Sequence, residues 1–496
     1  MKTIRNIYLT LFLGIFSISL HAQVQIGSTI TASEEGFAFG QNVQISEDSK
    51  RIVVSGYGSS EQGVAIFENR NGDWVQQPFE VPSDFPDSPV IYSVAMSSDG
   101  TKIAVGSVIN RFEENNGNVK VFQYVNNTWS QRGTTIESED NNELFGRSVA
   151  ISDDGNRVLV GARLNSEKAV LGGRAVVYQY ANNTWSQLGE AVYGTEDGFK
   201  VGSSTAISSD GKSIFIGSNS SHTKNNPASP FEGYIETLIW ENNSWVNQYI
   251  EKGGKYDHLG FSVDISKNGE IFATTANQVK FNRGYVKVYR NANGIFNEHK
   301  ILESDVNASL GSSLSVSETG NKIAVLAFDP ESVIPNLWSV IIFEFNTQVY
   351  VPIGSIQGDG SFPQYDITMD ISPDGNTIVI GSLEYDYSLA GSERGSVKVY
   401  DISELESPEI PEPEILPEFI VDPILIYPSP ATNELHCANC SFIAEWYIAD
   451  VTGKVVTPHK YNTSNAQDIS MLQSGIYYVY FVSRAGDIEV KKFVKK

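Results

Sequence analysis

The sequence predicts an all-β chain in which seven like sheets surround an axis, followed by a small β-sandwich. Three observations carry this expectation. First, one sequence pattern recurs seven times: an alternating apolar run, a Ser-x-Asp-Gly turn, and a second apolar run ending in Gly, clearest at Phe145–Gly161. Second, the last turn position falls at Ser49, Gly100, Gly155, Gly211, Gly269, Gly320 and Gly375, a spacing of 51 to 58 residues. Third, stretches with helical amphipathic period are nearly absent. Short strands repeated at this period indicate radial repetition, a seven-bladed β-propeller, rather than a single core.

Each unit holds four strand-like runs. In the third they are Ser148–Ser152, Arg157–Ala162, Arg174–Tyr180 and Thr184–Val192. Arg174–Tyr180 alternates apolar and polar residues, the period-two pattern of a half-buried strand. The Ser152–Gly155 turn is short, and its Gly supplies the positive φ that a tight hairpin needs. Asn182-Asn183 marks the next hairpin with a pair that tolerates left-handed φ. One such blade cannot bury both of its faces, so blades must stack.

The ends of the repeat also fit a ring. Six units finish with a fourth strand of their own, whereas the seventh stops after its third, Gly395–Tyr400. Gln25-Ile26-Gly27 at the start of the chain matches Gln187-Leu188-Gly189 in the third unit. Val24–Ile30 is therefore expected to complete the last blade and remove an open sheet edge.

Residues 1–22 read as a secretory signal peptide. Lys2 and Arg5 open it, Ile7–Leu20 is apolar, and Leu20-His21-Ala22 offers a small-residue cleavage site. The propeller then spans 23–402. Residues 403–423 form a linker in which Pro408, Pro411, Pro413, Pro417 and Pro423 alternate with six glutamates, a composition that extends the chain. Residues 424–496 are long enough for a compact sandwich, with candidate strands at Ile424–Tyr427, Glu434–Cys437, Ala444–Ala449, Gly475–Ser483 and Ile488–Val494.

The formal net charge of −24 makes nucleic acid and anionic membrane poor partners. Cys437 and Cys440 are the only cysteines. A Cys-x-x-Cys can be a redox pair, half a zinc site or a small disulfide loop. No further zinc ligands stand at suitable spacing, and the surroundings are strand-like rather than a helix N-terminus. A local disulfide is the favoured reading for an exported chain.

The last seventy residues carry a more specific signal. Ile426-Tyr427-Pro428-Ser429-Pro430-Ala431, then Ala449–Val456 around Gly453, then Leu472–Val479 around Gly475, then the basic end with Lys495 and Lys496 follow one another in order. This series resembles the C-terminal sorting domain (type A) of the type IX secretion system. Ser429 replaces the Asn usual in that family's Tyr-Pro-Asn-Pro opening. The resemblance implies a Bacteroidetes-type bacterium, export to the periplasm, passage across the outer membrane, and a translocon partner that reads residues 424–496. Tyr427, Pro428, Pro430, Gly453, Gly475, Lys495 and Lys496 are the sorting-signal residues it implies. The final location would be secreted or on the outer cell surface.

The repeats, with Phe-Gly-x-Ser-Val-Ala-Ile-Ser and Val-Leu-Val-Gly-Ala as their best copies, resemble FG-GAP propellers. Ser372–Gly375 also resembles the turn of WD-like periplasmic propellers. Calcium-binding FG-GAP repeats carry an Asp-x-Asp-x-Asp-Gly loop. Here the turn is only Asp153-Asp154-Gly155 or Ser98-Asp99-Gly100, too short to wrap an ion, so no metal and no cofactor is expected.

The connections between strands two and three are long and varied, at Ser107–Asn118, Arg163–Gly173, Asn219–Gly233 and Leu383–Arg394. They share a face with the inter-blade loops, which carry Glu34, Glu35, Glu137, Glu139, Asp140, Glu196, Asp197, Asp305 and Asp359. A partner would bind there, since function in such scaffolds sits where loops vary. The acidic loop residues read as solvated turns. Trp74, Trp129, Trp185 and Trp245 recur at one position, which reads as packing rather than sugar stacking. The histidines His222, His258, His299, His436 and His459 are scattered, and no nucleophile elbow or phosphate loop occurs. The expectation is a non-catalytic binding or adhesion protein, contacting an unknown protein or glycan. The alternative is a polysaccharide-active hydrolase or lyase with paired carboxylates converging near the axis.

Overall fold

The computed structural model describes residues 24–405 and 425–496, except 32–37, 59–62, 82–89, 110–116, 139, 141, 220–231, 278–283, 293–294, 304–308, 329–337, 347–348, 359–366, 383–394, 439–442, 452–453, 458–459, 462–465 and 484–487. The leader (1–22) and most of the linker (403–423) lie outside the described residues, and the chain divides into two compact units near residue 408.

The first unit is all antiparallel β-structure. Repeat 3 forms Phe145–Ile151, Arg157–Ala162, Arg174–Ala181 and Thr184–Gln187, paired in that order, with Val192–Tyr193 adding to the third strand. The same four-stranded order recurs in every repeat. Repeats 1 and 2 depart from the expectation of separate sheets. Tyr57 pairs with Ile91 and Gly58 with Val90, which joins their eight strands and Ile136–Glu137 into one nine-stranded sheet. The second strand of repeat 1, Arg51–Gly58, runs two residues beyond that of repeat 3 and meets the start of the next innermost strand.

Innermost strands pack against one another in sequence order, and the circuit closes from Ile367–Ile371 onto Ala38–Ile45. The N-terminal segment completes the last blade as expected. Val24 pairs with Asp401, Gln25 with Tyr400, Ile30 with Val397 and Thr31 with Ser396.

The cores lie between blades rather than within them. Ala95, Ala104, Val119 and Val121 of repeat 2 form one cluster with Phe145, Val149, Val158 and Val160 of repeat 3. Val379, Val397 and Val399 of repeat 7 do the same with Phe39, Val43 and Ile52 of repeat 1. The recurrent tryptophans join these clusters. Trp74, Trp185 and Trp245 donate their indole N–H to Ile26, Arg132 and Leu188 carbonyls at 3.0, 2.9 and 2.8 Å. Their role is inter-blade packing.

The Ser-x-Asp-Gly turns have one construction. In repeat 3 the Ser152 hydroxyl donates to Asp154 at 2.6 Å and accepts from Arg157 N at 3.0 Å. Asp154 in turn accepts from Asn156 N at 2.8 Å, and Gly155 holds φ +63°. The turn carboxylate thus serves its own hairpin.

The second unit has two sheets. Leu425–Tyr427, Glu434–Ala438 and Ala466–Asp468 make one. Lys460–Tyr461, Ile443–Asp450, Gly475–Ser483 and Ile488–Lys495 make the other. The short strands at 460–461 and 466–468 escaped the sequence reading, because two or three residues carry no measurable alternation. Leu435, Trp446, Ile448, Val479, Phe481 and Phe493 fill the space between the sheets. Cys437 is disulfide-bonded, and Cys440 is the chain's only other cysteine.

Candidate functional site: the axial channel

The innermost strands line a cavity of about 100 Å³ on the axis. Six repeats offer it the residue five positions before the end of the turn, Gln44, Ala95, Ala150, Ala206, Asp264 and Asp370, whereas repeat 6, with Ser315 at that position, borders it through Val316. Flanking residues such as Val263 and Ile265 pack in the inter-blade cores, and Ile265 also borders the cavity.

The polar members of this set reach the next blade. Gln44 accepts from Met96 N at 2.8 Å, Asp264 from Val316 N at 2.7 Å, Ser315 from Ile371 N at 3.1 Å, and Asp370 from Ile45 N at 2.9 Å. Each carboxylate has both oxygens engaged. The second oxygen of Asp264 takes Ile265 N at 2.8 Å, and that of Asp370 takes the Ser315 hydroxyl at 2.9 Å.

Burial dominates their titration. It pushes Asp264 up to about 7, helped by the charge of Asp370 and opposed by the Val316 and Ile265 N–H groups and by Lys267. It pushes Asp370 up to about 6 against the Ile45 N–H, Ser315 and Lys267. The axis is therefore neither bare nor apolar.

At the turn side the channel is rimmed by a nearly continuous circuit. Glu47 N donates to Ser98 O at 2.8 Å, Asp153 N to Ser209 O at 3.0 Å, Ser209 N to Lys267 O at 3.0 Å, Lys267 N to Glu318 O at 2.9 Å and Glu318 N to Pro373 O at 2.8 Å. Between repeats 2 and 3 the Asp153 side chain replaces a carbonyl and accepts from Ser98 N at 3.3 Å. Pro373 has no N–H, so the circuit breaks there. Lys267 also reaches Asp153 of repeat 3 at 3.2 Å. Burial opposes the charge of Asp153, but Lys267 with Ser209 and Ser98 outweighs it and holds the carboxyl below its usual range.

Most of the loop-rich face falls outside the described residues: parts of Ser107–Asn118, Asn219–Gly233 and Leu383–Arg394, together with Glu34, Glu35, Glu139, Asp305 and Asp359. Arg163–Gly173 is described, and it is tightly held. Glu143 pairs with Arg174 at 2.8 Å, both nearly enclosed, and accepts from Asn165 at 2.8 Å. Asp197 accepts from Val170 N at 2.9 Å, and Glu196 pairs with Lys252. These loop acids fasten the loops. Among the described residues, no group of three or more His, Cys, Asp or Glu side chains is placed to hold a metal.

The sorting-signal residues gather by themselves in the second unit. Ala431 N donates to Val494 O and Lys496 N to Ala431 O, both at 2.8 Å. The Tyr427-Pro428-Ser429-Pro430 opening is thereby tied to the terminal strand bearing Lys495 and Lys496. Tyr427 is half exposed and stacks on His436 with ring centroids 5.5 Å apart. Gly475 opens the strand beside Lys495. Gly453 lies outside the described residues.

Residues 425–496 match the family model described as a secretion system C-terminal sorting domain. The C-terminal unit is a type IX sorting domain. Such a domain implies export, ending in secretion or attachment at the cell surface, and contact with the secretion system on the way. The sorting domain covers only the end of the chain, and no curated protein sequence matches the chain. Among solved structures the chain is similar to hydrazine synthase of Kuenenia stuttgartiensis, at 12% identity over 77% of this chain and 99% of that one, TM-score 0.46. A Lactobacillus plantarum protein is similar at 13% identity over 69% and 94%, TM-score 0.45. Oligogalacturonate lyase of Vibrio parahaemolyticus is similar at 9% identity over 77% and 93%, TM-score 0.46. None of these likenesses bears on substrate or chemistry.

Proposed function

We propose that this chain is a non-catalytic binding or adhesion protein, taken through the periplasm and across the outer membrane by its sorting domain and released or displayed outside. The supporting observation is the engagement of the axial carboxylates. Both oxygens of Asp264 and Asp370 bind framework donors, and those bonds join neighbouring blades, which supports a structural role for both carboxylates. The cavity points the same way. At about 100 Å³ it has room for several waters but lies below the ~300 Å³ at which ligand pockets begin. A binding surface on the ring would then be on the loop side, with a protein or glycan as partner.

The rival reading, a polysaccharide hydrolase or lyase, draws on one fact. Asp264 and Asp370 have raised pKa values near neutrality and lie in one cavity, as an acid–base pair would. Incubating the mature protein with neutral and acidic polysaccharides decides between the two. Binding on a glycan array or in a surface pull-down, without release of reducing ends or unsaturated products, is the expected result. Turnover abolished by Asp264→Asn or Asp370→Asn would overturn the proposal.

A further inference from the structure

In a chain of formal charge −24, three cations of repeats 3 and 4 have no counter-ion among the described residues. Arg147 is the third residue of the innermost strand of repeat 3, Arg163 follows that repeat's second strand, and Lys200 precedes the innermost strand of repeat 4. The fold brings them together. Phe145 pairs with Ala162, so Arg147 and Arg163 leave the same end of one sheet. Gly161 lies so close to the Gly202 carbonyl that a Cβ there would sit 2.1 Å from it, which sets the start of the repeat 4 strand against the end of Arg157–Ala162. Lys200 N is held by Leu171 O at 3.0 Å, on the loop that Arg163 begins.

The neighbouring Arg174 shows what an ordinary buried cation has here. It meets Glu143 at 2.8 Å with both side chains almost wholly enclosed. Arg147, Arg163 and Lys200 have no such partner. Among the described residues none of the three side chains donates a hydrogen bond or joins an ion pair; the Arg163 Nε is buried with no acceptor, as is the Arg174 Nε, but Arg174 has Glu143 beside it. Burial lowers the pKa of Arg147 to about 10 and lowers that of Lys200, and in both cases the charge of Arg163 adds to the effect. Each of the three is only partly enclosed, and half-buried like charges without acceptors repel one another unless an anion joins them.

We propose that Arg147, Arg163 and Lys200 bind an oxyanion at the loop-side end of the seam between repeats 3 and 4. Two guanidinium forks and one ammonium match a carboxylate, sulfate or phosphate, because guanidinium N–H pairs address two oxygens at once. The oxyanion has two sources, a free inorganic ion or a charged substituent on a glycan. The site stands whether or not the ring binds a macromolecule, since it rests on these three side chains alone.

Thermal unfolding of the mature chain in sodium sulfate, against sodium chloride at equal ionic strength, tests the site. Sulfate is expected to raise the midpoint by about 2–4 °C. Arg163→Gln with Lys200→Gln should unfold at a higher temperature than wild type in chloride, from relieved repulsion, and lose the sulfate response. Lys200→Gln alone should show a reduced response, and serves if the double variant does not fold. Equal midpoints for wild type in the two salts, or an undiminished sulfate response in the variants, would overturn the proposal. A sulfated galactan oligosaccharide added to the sulfate-free protein separates the sources. Stabilisation at tenfold or lower concentration than inorganic sulfate assigns a glycan substituent, whereas a response to inorganic sulfate alone assigns the free ion.

Discussion

The two arcs of the ring hold their blades together differently. From repeat 5 through 7 to repeat 1, the axial residue of each blade accepts an N–H of the next: Asp264, Ser315, Asp370 and Gln44. Repeats 2, 3 and 4 have Ala95, Ala150 and Ala206 at that position and use another clasp. Ser93, Ser148 and Ser204 donate to the carbonyls of Gly146, Gly202 and Gly260 at 2.6, 2.9 and 2.9 Å. The choice follows the end of the second strand. Where that residue is Gly106, Gly161 or Gly217, the next blade's glycine carbonyl comes within reach of the serine. Where it is Ser55, Thr275 or Leu326, the axial residue supplies the bond. Repeat 7, where the ring closes, has Gly381 and uses both, with Thr368 bonding Gly40 O at 3.2 Å. Polar residues on the axis are thus explained by blade joining without any ligand.

The comparison can be broken most severely at the closure. Removing residues 23–30 strips the partner from Ser396–Asp401 and opens the double-clasped seam. The melting temperature should fall by more than for any single substitution below, and an unchanged value would refute the closure. Next, Gly161→Ala places a methyl 2.1 Å from Gly202 O and 2.3 Å from the Ser148 hydroxyl. About 1–3 kcal/mol of stability should be lost in a denaturant titration, through displacement of the backbone and loss of that clasp. Ala95→Ser, at an arc that already has its serine clasp, should cost far less.

Asp264→Asn sharpens the contrast through pH. The folded carboxyl titrates near 7 and its ordinary value is 3.8, so the folded state binds the proton more tightly. The stability this gives is complete below about pH 4 and is lost as pH rises through about 7. Asn does not titrate. The melting temperature of wild type minus variant should therefore shrink from pH 5 to pH 8, and a difference constant over that range would contradict the raised pKa. Asp99, held at about 2 by the hydroxyls of Ser97 and Thr101, the Thr101 N–H and Lys102 against the effect of burial, contributes in the opposite sense. Its stability is lost only as pH falls from about 4 toward 2. A modest effect belongs to Ser148→Ala, which removes one neutral hydrogen bond on the alanine arc and should cost about 0.5–1.5 kcal/mol.

Much of the fold was legible in the chain. Bounds of the first three strands in repeat 3 agree to within a few residues, whereas the fourth, expected over Thr184–Val192, ends at Gln187; the N-terminal segment supplies the last strand, and the tryptophans are packing residues. The sorting domain was readable from short motifs in order, and its match at 425–496 agrees. The axial residues have no signature within a single repeat. Gln44, Asp264 and Asp370 stand at one repeat position, so aligning the seven copies column by column would have exposed the polar exceptions. No column marks Arg147, Arg163 and Lys200, because they come from three different repeat positions.

The amino-acid order alone determined the repeat, its strands and its turns. Those depend on local alternation, on serine and aspartate bonding their own backbone, and on glycine at positive φ, all within a few residues. Only the tertiary structure decided which side chains share the axis, which seam uses which clasp, and which charges are left unpaired. Those follow from the approach of residues about 50 apart, or of the two ends of the ring, and no local pattern encodes such distances.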